Sequence, residues 1–438
     1  MPTLQQAIHD FVRRNFDHTF GTPTVLAQPD AEWAKLRATG SRLWLDTGDL
    51  DEAGKLWNTS FDALTTNNTL LNKEIQKGIY DQLMTEAAGI LGRLDPQTIV
   101  LEIAFILNAS HALRLVHRFD ANVSVELHTD LSHDVARTVA YGKRYFAICP
   151  ERFIVKVPLT PAGYLGARQL VQAGIPINFT LGFSARHNYV AALLTNPKYC
   201  NVFMGRLNAY VGDNKLGTGE NVGEKATLAT QRELLTLRKS GKSQTNLIGA
   251  SVRTGTQLGD LAGIDVFTIP TKAATEYRAN PLPFPMSRIK DDPAIPLNAG
   301  ITLKQFAGDT LWEVPANFKA AVAALLASPH LSPLPRGERK PASPLPTGGE
   351  GQGEGHLTPE SLQDHFAQAG FPGFLPKWSK ADIDTITKDG KIPIHAKWAS
   401  RLESGELGLD ALMNLSALQS FVTDQTALDN RIRSVLKL

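Results

Sequence analysis

The heptapeptide RFIVKVP, residues 152–158, sets a lysine inside a run that otherwise reads as a buried strand. Phe153, Val155 and Val157 fall on one face at period two, and Ile154 and Lys156 fall on the other. A buried ammonium is costly, so such a lysine is paired with a carboxylate, reaches out at a strand end, or is used chemically. A free lysine has a pKa of about 10.4, which leaves roughly one amine in a few thousand unprotonated at neutral pH. Apolar surroundings penalise the charged form of an amine and so enrich the nucleophile. A neutral amine attacks a ketone to give a Schiff base, whose protonated nitrogen accepts electrons from an adjacent breaking carbon–carbon bond. That chemistry also needs carboxylates for proton transfer, and Asp46 and Glu126 are the available pair. Arg206 and Arg253 could clamp a phosphate through planar bidentate contacts.

Eight short β-branched or apolar runs could carry these groups: residues 43–47, 62–67, 123–128, 153–158, 175–180, 200–205, 246–252 and 265–270. Most are separated by segments of helical length and pattern. TPAGYLGARQLVQAG opens on a capping threonine and closes on glycine, and GEKATLATQRELLTLRKSG is amphipathic with a glycine stop. Alternating strands and helices predict a parallel sheet covered by helices, and eight repeats fit closure into a (β/α)8 TIM barrel. A doubly wound open sheet is the alternative, but no GxGxxG follows the first strand.

Within this frame the polar residues share strand faces. They are Asp46 beside Trp44, Thr65 with Asn67, and Ser124 with Glu126 and His128. Then come Lys156, Asn178 with Thr180, Asn201, and Ser251 with Arg253. Nearly all sit in the last residues of their strand, the end at which barrel sites are built. One buried polar residue is usually a satisfied structural group, but a succession at one end points to catalysis.

The predicted organisation has four parts. Residues 1–42 form an N-terminal helical extension and residues 43–328 the catalytic barrel, with an extra helix over 92–118. Residues 329–358 are a Pro/Gly-rich stretch with SPLP twice, expected to be flexible. Residues 359–438 are mostly helical and expected to pack on the barrel or over its mouth.

Forty-five basic and forty-three acidic side chains give a formal charge of +2, which makes no case for a nucleic-acid partner or an acidic membrane surface. Cys149 and Cys200 form no CxxC and no Cys/His cluster, so a reducing cytoplasm is the expected compartment. The longest greasy stretch, TIVLEIAFILNA, is interrupted by Glu102, and no membrane span is expected.

The segments LWLDTGDLDEA, ALTTNNTLLNKE, VSVEL, FIVKVPLTPAG, INFTLGFS, MGRL and GASVRTG resemble, in order, the strand-end motifs of transaldolases. The resemblance runs from about residue 42 to residue 272; after residue 358 it is loose. It implies that Lys156 is the Schiff-base lysine and Asp46 the acid–base residue acting on the C4 hydroxyl. Glu126 and Thr180 match the pair that holds a catalytic water, and Asn67 and Asn178 the groups that hold the dihydroxyacetone hydroxyls. Arg206, Ser251 and Arg253 match the phosphate site. The implied reaction moves a dihydroxyacetone unit from sedoheptulose 7-phosphate to glyceraldehyde 3-phosphate, giving erythrose 4-phosphate and fructose 6-phosphate. The partners implied are thus phosphorylated ketoses and aldoses, with no metal or organic cofactor. Glu126 and Phe203 stand where the related fructose 6-phosphate aldolases carry glutamine and tyrosine, which favours transfer over free aldol cleavage. Asn201 stands where many transaldolases have a substrate-contacting serine, and His128 where an aspartate is common.

Two rival readings are a metal-dependent aldolase or isomerase using ELHTDLSHD, and a catalytically dead barrel docking partners through SPLP. The first lacks a second His-rich segment to complete a ligand shell. The second leaves a full set of Schiff-base residues unexplained. Aldol cleavage of fructose 6-phosphate, or action on a sulfonated sugar, is the nearer alternative.

Overall fold

The computed structural model describes residues 3–328, 331 and 357–438. All eight expected strands form: β1 Arg42–Asp46, β2 Phe61–Thr65, β3 Asn122–Glu126, β4 Phe153–Pro158, β5 Ile177–Thr180, β6 Tyr199–Phe203, β7 Asn246–Ala250 and β8 Val266–Pro270. Each pairs in parallel with its neighbours in sequence, and β8 closes on β1, giving a (β/α)8 barrel. Every residue of β4 is buried, as a strand between a filled interior and an outer ring of helices must be.

Five strands stop one or two residues earlier than expected, and in β2, β3 and β7 the last polar residues cap the next element or turn the chain toward it. Asn67 accepts from the Leu70 N–H at 2.9 Å and starts the helix Asn68–Gln76. His128 Nδ1 accepts from the Asp130 N–H at 3.1 Å and starts a single 3-10 turn. Ser251 leaves β7 in the left-handed region, with φ of 59°.

The extra helix runs over Pro96–Phe119 from an Asp95 cap. By length and composition it could cross a membrane, but most of its apolar window is buried within the fold. Its Glu102 is held by Arg144 at 2.8 Å and the Tyr141 hydroxyl at 2.6 Å. Ahead of β1, the helix Leu4–Arg13 packs on the helices Asp81–Leu91 and Pro96–Phe119. The helix Ala31–Ala38 sets Trp33 against Phe61 and Tyr277. The stretch 329–358, with both SPLP repeats and its expected flexibility, lies outside the described residues apart from Leu331, Leu357 and Thr358.

The C-terminal helix Leu409–Leu436 lies against the helices Asn68–Gln76 and Pro96–Phe119. Its first turn is anchored by a buried ion pair, in which Arg186 donates twice to Asp410 at 2.6 Å. Burial would raise the Asp410 carboxyl, but Arg186, His187 and Ser184 outweigh it and hold the group below its ordinary range. Asp410→Ala strands a buried guanidinium and is expected to cost about 3–5 kcal/mol in urea unfolding at pH 7. Because the folded value is depressed, this stabilisation is present above the ordinary value of 3.8 and is lost as pH falls through the folded one. The gap between wild type and variant should therefore narrow in acid.

Candidate active site

The register of the barrel brings the strand-end groups together. Glu126 and Asn178 flank Lys156 on the neighbouring strands, and Asp46 is level with Thr65. Lys156 Nζ lies 3.6 Å from Glu126 Oε2 and donates to the Thr66 carbonyl at 3.4 Å, and the side chain is almost fully buried. Asp46 Oδ1 accepts from the Thr65 hydroxyl at 2.7 Å. Burial raises the Asp46 carboxyl above its ordinary value, with Lys156 and Thr65 pulling the other way. Burial raises Glu126 too, against the opposing pull of Lys156 and of the Asn68 N–H at 3.4 Å. Both acids thus hold protons to higher pH than a solvated carboxylate.

A cavity of about 430 Å³ opens over these groups. Asp46, Asn67, Lys156, Asn178, Asn201, Phe203, Arg206, Ser251 and Arg253 all line it, whereas Glu126 and Thr180 do not. Glu126 instead borders a small adjoining hollow of about 10 Å³ with Asn68, Asn108 and His128. Thr180 lies buried on β5, level with Pro158 of β4. Among the described residues Glu126 Oε1, Thr180 Oγ1 and Asn178 Oδ1 are buried without a hydrogen-bond partner. Asn178 Nδ2 donates to Ser124 at 3.0 Å, and Asn201 Oδ1 accepts from the Gly182 N–H at 3.0 Å. A larger hollow of about 540 Å³ lies beside the N-terminal helix, and none of the strand-end polar groups line it.

The far end of the cavity is cationic. Burial first, then repulsion from Arg253, lowers the Arg206 guanidinium to about 10. Arg206 donates to the Lys391 carbonyl at 3.2 Å and the Ser420 hydroxyl at 3.3 Å, both neutral oxygens. The left-handed Ser251 brings its carbonyl onto Gly205, where an added Cβ would lie 2.3 Å from the oxygen. Gly205 is therefore required for Arg206 and Ser251 to share one corner.

Lys391, Ile392 and Phe421 complete the lining from the C-terminal segment, and Thr69 from the helix after β2. None belongs to a strand, so the period-two pattern could not reveal them. His128 caps the turn after β3 and borders the same hollow as Glu126, and its Nε2 lies 3.2 Å from Asp429 Oδ1 on the C-terminal helix. Asp134 spends its side chain capping the helix Val135–Ile148. Among the described residues no group of three His, Cys, Asp or Glu side chains could hold a metal ion. Trp44 is core, edge-on to Tyr199 at 4.7 Å.

A family model described as Transaldolase/Fructose-6-phosphate aldolase matches residues 43–328. A transaldolase of Xanthomonas oryzae pv. oryzae is 32% identical over 235 residues, 51% of this chain and 71% of the relative. A transaldolase of Xanthomonas campestris pv. campestris is 29% identical over 280 residues, 61% and 85% of the two chains. Transaldolase 2 of Nostoc punctiforme is 30% identical over 164 residues, 34% and 42% of the two.

Proposed function

The chain belongs to the transaldolase/fructose-6-phosphate aldolase family, and from that premise we propose that it transfers a dihydroxyacetone unit between sugar phosphates through a Schiff base on Lys156. The observation that carries this reading is the buried Lys156 side-chain nitrogen 3.6 Å from Glu126, in a cavity whose wall includes Asp46, Arg206 and Arg253. Lys156 attacks the C2 carbonyl of sedoheptulose 7-phosphate, and the carbinolamine loses water to give the iminium. Among the described residues Glu126 Oε1 and Thr180 Oγ1 have no partner and flank the lysine strand, which suits them to hold the water that relays those protons. Asp46 takes the C4 hydroxyl proton as the C3–C4 bond breaks, and the bond's electrons pass to the iminium nitrogen. Erythrose 4-phosphate leaves. The enamine C3 then attacks the aldehyde of glyceraldehyde 3-phosphate, Asp46 returns the proton, and hydrolysis frees fructose 6-phosphate from Lys156. Asn67 and Asn178 suit the hydroxyls of the three-carbon unit; Arg206, Ser251 and Arg253 suit the phosphate.

Transfer requires that the enamine survive until the acceptor arrives. Phe203 lines the cavity with its ring 5.7 Å from Phe183 and 6.3 Å from Phe421, and the ring itself carries no proton to donate. Phe203→Tyr introduces a phenol there and is expected to raise release of free dihydroxyacetone from fructose 6-phosphate by about tenfold or more. Coupled assay of dihydroxyacetone against transferred product measures it.

A panel of ketose donors against aldehyde acceptors tests the assignment. Exchange between phosphorylated sugars with little dihydroxyacetone release is expected. Fast release without an acceptor would mark an aldolase, and preference for a sulfonated aldehyde would change the acceptor.

A further inference from the structure

The lining at the arginine end of the cavity includes a lysine beyond the two arginines. Lys391 lies in the turn between the helix Lys380–Asp389 and the short helix His395–Lys397, outside the residues that match the family. It lines the same cavity as Arg206, Ser251 and Arg253. Its side chain is exposed, and among the described residues Lys391, Arg206 and Arg253 form no ion pair within 4.0 Å. Arg253 repels Arg206 with Asp424 only partly offsetting it, and a bound dianion would relieve that repulsion.

The turn is fixed to the element that carries the first arginine. The Lys391 carbonyl accepts from Arg206 at 3.2 Å and from the Ser416 hydroxyl at 3.1 Å. Asn214 Nδ2 donates to the Pro393 carbonyl at 2.9 Å, and Asp389 accepts from the Ile394 N–H at 3.0 Å. The Tyr210 hydroxyl meets His395 Nδ1 at 2.8 Å. Arg206, Asn214 and Tyr210 lie on or just after the helix Met204–Asp213, so the backbone of Lys391 is positioned by the helix after β6. The ammonium sits on a flexible stem and can settle on a phosphate as a point charge.

We propose that Lys391 is a third cationic ligand for the substrate's phosphate, supplied by the C-terminal segment, and that it sets the preference of the site for phosphorylated over unphosphorylated sugars. The inference rests on the sugar-phosphate reading above and extends it to a residue outside the barrel.

The test compares wild type, Lys391→Met, Lys391→Gln and Lys391→Arg. Two readouts are used: the ratio of kcat/KM for fructose 6-phosphate over fructose, and the affinity for inorganic phosphate by titration calorimetry. A charge-assisted contact to phosphate predicts that Met and Gln lower the ratio about tenfold and weaken phosphate binding by a similar factor. Arg should recover most of both. A ratio and a phosphate affinity within about twofold of wild type in both neutral variants would overturn the assignment. Weakened phosphate binding in a protein without transfer activity would uphold Lys391 as a phosphate ligand and reject the transaldolase reading instead.

Discussion

Lys156→Met is expected to lower transfer between fructose 6-phosphate and an aldose phosphate on the order of 10⁴-fold or more, the scale on which removal of a covalent nucleophile acts. Methionine keeps the length and apolar stem of lysine, so the packing between β3 and β5 survives. The substitution removes the cation 3.6 Å from Glu126, whose carboxyl burial already pushes upward. Without Lys156 the upward push of burial meets less opposition, so the neutral carboxyl is favoured to higher pH. Urea unfolding in mild acid, where a raised carboxyl is neutral, should accordingly show a midpoint close to wild type. A large loss of stability would mean that Lys156 is mainly a structural partner of Glu126.

Asp46→Asn is expected to reduce kcat about 10²- to 10⁴-fold, the usual contribution of a positioned acid–base group. Because Lys156 is intact, this variant should still capture ketose and accumulate the adduct, with cleavage of the C3–C4 bond slowed. Its pH behaviour provides a second readout. Burial raises the Asp46 carboxyl, and the role assigned to it needs the carboxylate. The acid limb of kcat/KM in the wild type should therefore lie above the ordinary value of 3.8. For a raised acid, the stability contribution is full below its unfolded value and is lost as pH rises through the folded value. Activity appears in the window where that stability is given up, and Asp46→Asn should flatten the stability change across it.

Much of this was legible in the residues themselves. The alternation of Phe153, Val155 and Val157 marked β4, and the order of polar strand ends placed Asp46, Lys156, Asn178 and Arg253 on one cavity. The period of two failed where a residue had a second role. Asn67 and His128 continue the alternation of their strands, but their side chains accept backbone N–H groups and start the next element. For His128 this also turns the ring toward Asp429. Glu126 and Thr180 were placed on the right strands, yet the setting of Glu126 beside rather than in the large cavity depends on packing against Asn68 and Asn108. Lys391 and Phe421 carried no signal at all. They reach the site because the C-terminal segment docks through contacts distant in sequence, Asp410 with Arg186 and the Lys391 carbonyl with Arg206, and no local pattern encodes that docking.

Reductive trapping addresses the role of the lysine with the fewest intermediate assumptions. The enzyme is incubated with fructose 6-phosphate, reduced with borohydride, digested, and mapped by mass spectrometry. A sugar-derived mass increment confined to the peptide bearing Lys156, absent in Lys156→Met and retained in Asp46→Asn, is the expected result. An unmodified Lys156 in an enzyme that nonetheless turns over the sugar, or an adduct on another lysine, would contradict it.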